Sequence, residues 1–269
     1  MSSSSRPDGE ILPAEAAEEA YSAQNVAPPR RRRSIFIAPG TYVLVGINCA
    51  VFVWMLLHGV SPTDPTLEQL KAFGATNAEL ILHGQWYRLL TATFVHVGLI
   101  HIASNMWCLW NLGLLGEPLL GRWGMIAVYM LTGIAGNLLS LAYSVIRGNY
   151  IGVGAGASGA VFGIAGILIV LLSNHKLPIP VFELQRLRKS VIQFAALNLA
   201  IGLGTIALPV IHIDNWAHGG GFLLGLALGV PLLPEMTMGR SRYLTRQKIT
   251  FAAAALFLAL FGYWIANLH

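Results

Sequence analysis

Apolar residues along this chain gather into runs of the length a membrane helix needs, separated by short polar segments. A helix crossing a hydrocarbon core of about 30 Å takes about 20 mostly apolar residues. Seven segments fit that description, at 42–58, 93–115, 125–145, 157–173, 191–210, 215–233 and 249–265. The fourth is short and follows a glycine-rich stretch, and no repeat of 20–50 residues is visible. Residues 1–36 obey no such pattern. Ser2 to Ser5, five acidic residues and Pro28-Pro29 lead into Arg30 to Arg33. That composition predicts a disordered cytosolic tail, with neither the apolar core nor the small-residue cleavage site of a secretory signal. The expected organisation is a tail at 1–36, a core of six spans at 37–233, and a cytosolic loop with a seventh span at 234–269.

Composition narrows the class. Of 269 residues, 55% are hydrophobic and 11% charged, against about 25% charged in an ordinary soluble domain. A disordered chain, a disulfide scaffold and an ordinary soluble enzyme are excluded, which leaves an all-α, polytopic membrane protein. The net charge of +5 admits either a nucleic-acid partner or a membrane surface, and its distribution decides between them. With the N-terminus inside, 14 of the 17 basic residues fall on cytosolic segments, and only Lys71, Arg88 and Arg147 fall outside. The positive-inside rule expects that bias of a correct helix count. The predicted topology is N-terminus in, C-terminus out. The basic residues then meet anionic lipid headgroups and need no nucleic acid. A bacterial plasma membrane is the expected location. Cys49 and Cys108 both lie within apolar runs and are expected to be buried free thiols.

Polar residues inside spans point to function, and here they cluster. The second span carries His96, His101 and Asn105; the fourth opens on Gly156-Ala157-Ser158-Gly159; the sixth opens on Asp214-Asn215-Trp216-Ala217-His218. Under the predicted topology all three spans run from outside to inside. His96, Ser158 and His218 then lie one to three residues into their helices, at similar depth in the outer third. A serine becomes a useful nucleophile when a histidine takes its proton, and the oxyanion so formed needs donors already in place. A helix start supplies free N–H groups beside Ser158. His101 and Asn105, four apart, share one helix face. The third outer loop, from Gly148 to Gly156, is too apolar for a wet loop and too glycine-rich for a good helix. It is expected to dip into the protein and deliver Ser158.

These residues resemble the motifs of the rhomboid intramembrane serine proteases over about residues 40–233. The H-x4-H-x3-N pattern matches His96, His101 and Asn105; G-x-S-G matches Gly156, Ala157, Ser158 and Gly159; A-H-x2-G-x3-G matches Ala217, His218, Gly221 and Gly225. A Trp-Arg element of the first outer loop is similar to Trp86-Tyr87-Arg88, with one residue inserted. A G-x3-E-x3-G run matches Gly113, Glu117 and Gly121. The resemblance implies a six-plus-one bundle and a Ser158–His218 dyad that cleaves transmembrane segments near the outer face. It implies an oxyanion hole of His101, Asn105 and the Ser158 N–H with Gly156 nearby, and a Phe162 ring against His218, where a plain core aromatic is the other reading. The implied substrates are single-span proteins with small or helix-breaking residues near that face. No metal or organic cofactor is implied.

Gly221 and Gly225 at small-x3-small spacing, opposite Gly159 and Gly163, predict close approach of the sixth and fourth spans. Glu117 is expected to form a structural polar cluster with Arg122 at the inner end. Asp214, four residues before His218, suits a helix N-cap better than the acid of a triad. A metalloprotease would need ligands such as H-E-x-x-H, which the chain lacks. A transporter would line a path with ionisable groups. The remaining alternative is an inactive rhomboid-like protein that binds or chaperones client transmembrane helices, which would lack the serine or the histidine; both are present.

Overall fold

The computed structural model describes residues 38–177, 179–204 and 214–268. The tail expected at 1–36 and the end of the fifth span, past residue 204, lie outside the described residues. In chain order, α1 (Pro39–Leu57) leads into a long loop with three short helices, α2 (Leu67–Ala72), α3 (Ala78–Leu82) and α4 (Arg88–Thr91). Then come α5 (Leu99–Ile146), α6 (Ser158–Leu171), α7 (Val181–Gly204) and α8 (Asn215–Leu232). A 3-10 turn (Leu233–Thr237) precedes α9 (Arg240–Ala266). Strands β1 (Thr76–Asn77) and β2 (Val153–Gly154) pair antiparallel, Thr76 opposite Gly154.

Four of these helices are long and apolar enough to cross a membrane among the described residues: α1, α5, α8 with its 3-10 extension, and α9. α5 counts twice. Its 48 residues would run about 72 Å if straight, more than twice the hydrocarbon core. The break falls at Gly121 (φ 74°, ψ 162°), a backbone conformation glycine tolerates and other residues resist. Its arms, 99–120 and 122–146, are the expected second and third spans. Together with α6 and α7, this order is consistent with six spans plus one.

α6 is the hub. Its residues are buried nearly throughout, as a helix apolar on all sides must be. Fourteen residues make about 21 Å of helix, so its two ends cannot both reach the faces of a 30 Å core. Glycines bring α8 onto it. A Cβ on Gly221 would collide with the Gly159 carbonyl, and one on Gly225 with the Gly163 carbonyl. The two backbones touch where small residues face each other.

Two expectations are corrected at the Gly121 end of the bundle and along α1. Glu117 does not pair with Arg122. It is buried and caps α1, accepting from the Gly40 N–H (2.8 Å), the Thr41 N–H (2.7 Å) and the Thr41 hydroxyl (2.8 Å). α1 begins with Pro39 and has no capping side chain of its own, so a carboxylate from α5 satisfies its first donors and meets its positive end. Gly113 leaves the room in which Thr41 sits. Cys108 is buried, but Cys49 is exposed, because it lies about 100° around α1 from Asn48, beside the buried stripe of Thr41, Leu44, Asn48, Phe52 and Met55.

Candidate active site

Three elements converge at one end of the bundle. His218, in the first turn of α8, places Nε2 2.8 Å from the Oγ of Ser158, the first residue of α6. The imidazole stacks on Phe162, one turn along α6, with centroids 4.4 Å apart and planes at 17°. Phe162 therefore fixes the ring plane. Depth alone could not give the in-plane aim that puts Nε2 on the serine. Crossing is enforced next to the dyad as well: the Ala217 carbonyl sits where any Cβ on Gly136 would be, and 3.2 Å from a Cβ on Gly159.

Asp214 does not reach the imidazole. Its carboxylate accepts from the Ala217 N–H (2.9 Å) and from the Ser140 hydroxyl, so it serves as the α8 N-cap. His218 Nδ1 is buried without a hydrogen-bond partner among the described residues. The geometry is that of a pair, with no third acidic member among the described residues.

His101 and Asn105 form the opposite wall. A Cβ on Gly156, which has φ 133°, would lie 2.7 Å from His101 Cε1 and 2.9 Å from Nε2. Only a residue without a side chain lets this loop lie against the ring. The Gly156 N–H itself donates to the Ala92 carbonyl (2.9 Å), so Gly156 contributes space. His101 Nδ1 accepts from the Val97 N–H (3.3 Å), which leaves the ring proton on Nε2, beside Gly156, as a donor. Asn105 Nδ2 is held by the His101 carbonyl (3.1 Å) on the same helix.

His96 departs from its expected place. It lies ahead of α5, whose first residue is Leu99, and not three residues inside a helix. The carbonyls of residues 92–94 are taken by two tertiary donors and one local side chain, and not by a following helical turn. Ala92 O accepts from Gly156 N, Thr93 O from the Tyr129 hydroxyl (3.0 Å), and Phe94 O from His96 Nδ1 (3.1 Å). With Nδ1 as donor, Nε2 of the fully buried His96 ring faces the Ala157 N–H at 3.5 Å. His96 thus braces the residue before Ser158. Its ring meets His101 edge-on, 5.3 Å between centroids.

The loop before Ser158 is only partly sunk into the protein, with Ile151 and Gly152 exposed and residues 153–156 half-buried. β2 is clipped to β1, and Asn77 Nδ2 donates to the carbonyls of Tyr150 (2.8 Å) and Gly152 (3.2 Å). Arg88 is buried and organises the first loop, with Nη1 donating to Lys71 O (2.7 Å) and Ala75 O (2.9 Å) and Nε to Gln85 Oε1 (2.7 Å). Trp86 is half-buried and lies toward α9, not the dyad. Sequence reasoning missed Tyr129 and Asn48. Asn48 Nδ2 donates to the Tyr129 hydroxyl (2.9 Å) and to Leu44 O (2.8 Å), and Tyr129 holds Thr93. Their signal was present, as polar groups inside apolar spans, but neither belongs to a motif.

Comparison with known proteins adds an independent line. Residues 83–235 match the Rhomboid domain family model. The chain is 34% identical over 196 residues to Rhomboid protease GluP of Bacillus subtilis (strain 168), covering 71% of this chain and 35% of that one. It is 32% identical over 208 residues to Rhomboid protease AarA of Providencia stuartii, covering 71% of each. RHOMBOID-like protein 1 of Arabidopsis thaliana is 34% identical over 176 residues, 65% of this chain and 41% of its own. The aligned regions thus span about a third of the Bacillus protein and two-fifths of the Arabidopsis protein.

Proposed function

From a chain that belongs to the rhomboid family, we propose an intramembrane serine endopeptidase that cleaves transmembrane segments near the outer face through Ser158 and His218. The observation that carries this reading is the 2.8 Å contact between Ser158 Oγ and His218 Nε2, at the end of a helix too short to span the core. Ser158 Oγ attacks the scissile carbonyl as its proton passes to His218 Nε2. The carbonyl π electrons move onto oxygen. The oxyanion meets His101 Nε2–H, the Asn105 amide and the Ser158 N–H, donors fixed before the reaction. On collapse, the C–N bond breaks and His218 gives its proton to the departing amine. Water, deprotonated by the same histidine, then releases the acyl group from Ser158.

The recessed position of Ser158 suits a substrate that presents unwound backbone, because an intact helix hides its carbonyls in i→i−4 bonds. The proposed substrates are therefore single-span membrane proteins with small or helix-breaking residues near the outer face. The surrounding setting is a bacterial plasma membrane with the N-terminus cytosolic and the C-terminus outside. The proposed organisation is a tail at 1–36, a protease core at 37–233, and a loop and seventh span at 234–269.

The test is cleavage of a reporter transmembrane segment by purified protein in liposomes. Cleavage by the unsubstituted chain and none by Ser158→Ala or His218→Ala is the expected result. Undiminished cleavage by Ser158→Ala would remove the nucleophile assignment. No cleavage by the unsubstituted chain, across reporters with varied helix-breaking residues, would favour the client-binding alternative.

A further inference from the structure

α8 starts against the second arm of α5. Gly136, Ser140 and Tyr143, four and three residues apart, share one face of that arm. Each meets a different part of the first turn of α8. The Ala217 carbonyl lies where a Cβ on Gly136 would be, and a Cβ on Gly220 would come 2.7 Å from the Ala135 carbonyl. The Ser140 hydroxyl donates to the carboxylate of Asp214, the cap of the helix. Tyr143 stacks on Trp216, with ring centroids 4.6 Å apart and planes at 22°. His218 follows two residues later, and two residues turn a helix by about 200°. Trp216 and His218 therefore leave α8 on nearly opposite sides, one ring on Tyr143 and the other on Phe162.

These contacts restrain different motions. Glycine against a carbonyl limits how closely two helices approach, but it offers no side chain to key into a groove and stop a roll. The Ser140–Asp214 bond limits sliding along the axis. The Phe162 face holds the imidazole plane, yet a stacked ring can still slip within that plane. Rotation of the first turn is left to Trp216. A side-chain tip lies about 5–6 Å from the helix axis, so a roll of about 10° carries it about 1 Å. His218 Nε2 is 2.8 Å from Ser158 Oγ. A displacement of that size takes it past the roughly 3.2 Å reach of proton transfer and can cost about 10²-fold in rate.

Neither ring serves the packed interior. Trp216 is 46% and Tyr143 39% exposed, and neither belongs to the apolar core clusters among the described residues. Truncating either one therefore opens no cavity in the core. We propose, on the reading of Ser158 and His218 as nucleophile and base, that Trp216 is a positioning residue for that pair. Stacked on Tyr143, it sets the rotation of α8 that aims the imidazole at the serine.

The test compares full-length variants in liposomes by the rate at which a fluorophosphonate labels Ser158, and by kcat and KM on a reporter transmembrane segment. Trp216→Ala and Tyr143→Ala should each slow labelling about 10- to 100-fold and lower kcat alike, with KM held. Both changes break one contact, so the double variant should do no worse than either single one. Trp216→Phe and Tyr143→Phe keep two flat faces and should restore most of the rate. Trp216→Leu, which has bulk but no flat face, should not. Rates are taken per folded molecule, from size-exclusion and thermal melts on the same preparations. A variant that misfolds leaves the decision to its partner across the stack. Alanine variants that label at the unsubstituted rate would overturn the proposal, as would slowed rates that phenylalanine does not restore or losses that add in the double variant. The unsubstituted chain keeps the two readings apart. If its own Ser158 stays unlabelled, the dyad fails and the positioning role falls with it; if it labels and the variants are indifferent, the positioning role alone fails.

Discussion

His101 illustrates how a backbone contact sets side-chain chemistry. Because Val97 N–H occupies Nδ1, Nε2 must carry the proton and point a donor toward Gly156. Under the proposed mechanism, His101→Ala removes one oxyanion donor, with an expected loss of about 10²-fold in kcat, read by reporter kinetics. Asp214 gives the opposite expectation. Its carboxylate caps α8 and bonds Ser140, so Asp214→Asn should keep most activity and lower stability by about 1 kcal/mol or less. A loss near that of His218→Ala would reassign Asp214 to the dyad. Tyr129 is the sharpest case outside the motifs. Tyr129→Phe strips a buried donor from Thr93 O and an acceptor from Asn48, at a cost of about 1–3 kcal/mol. Because Thr93 lies between the residues that hold Gly156 and His96, kcat should fall while KM stays. A thermal melt paired with steady-state kinetics on the same preparation checks both effects, and a fall in stability with kcat intact would make Tyr129 purely structural.

At the scale of elements, glycine contact decides where α8 lies. Gly225→Val would drive methyls into the Gly163 carbonyl and should destabilise by at least about 3 kcal/mol, seen as loss of folded protein on size-exclusion chromatography. Glu117→Ala should cost roughly 2–5 kcal/mol, since two buried N–H groups and a hydroxyl at the start of α1 lose their acceptor. Glu117→Gln should be milder in the same melting assay. The apolar runs made the membrane helices legible in the sequence, and the small-residue spacing pointed to the α6–α8 crossing. Local pattern could not reveal that the run at 93–98 is not helical. Its composition suits a span, and tertiary donors from Gly156 and Tyr129, with the local His96 ring, claim the carbonyls that a helix would have used. Glu117 went astray for a similar reason. Arg122 is near in sequence, whereas the uncapped start of α1 is 76 residues away and becomes a neighbour only through the fold.

For the whole molecule, the proposed arrangement, with the site facing outward and the basic loops facing the cytosol, rests on the charge asymmetry along the sequence. In a chain with Cys49 replaced, Thr63→Cys should react with a membrane-impermeant maleimide on intact cells, and Gly239→Cys only after lysis. The reverse pattern would invert the topology and put the proposed site on the cytosolic side. Family membership sets the frame for the chemistry, and the contact between Ser158 and His218 supplies its means. The most direct measurement is labelling of the membrane-embedded chain by a fluorophosphonate, which reports an activated serine whatever the natural substrate. A single adduct on Ser158 is expected, lost in Ser158→Ala and strongly slowed in His218→Ala. An unlabelled Ser158 in folded protein, or labelling that is indifferent to His218, would contradict it.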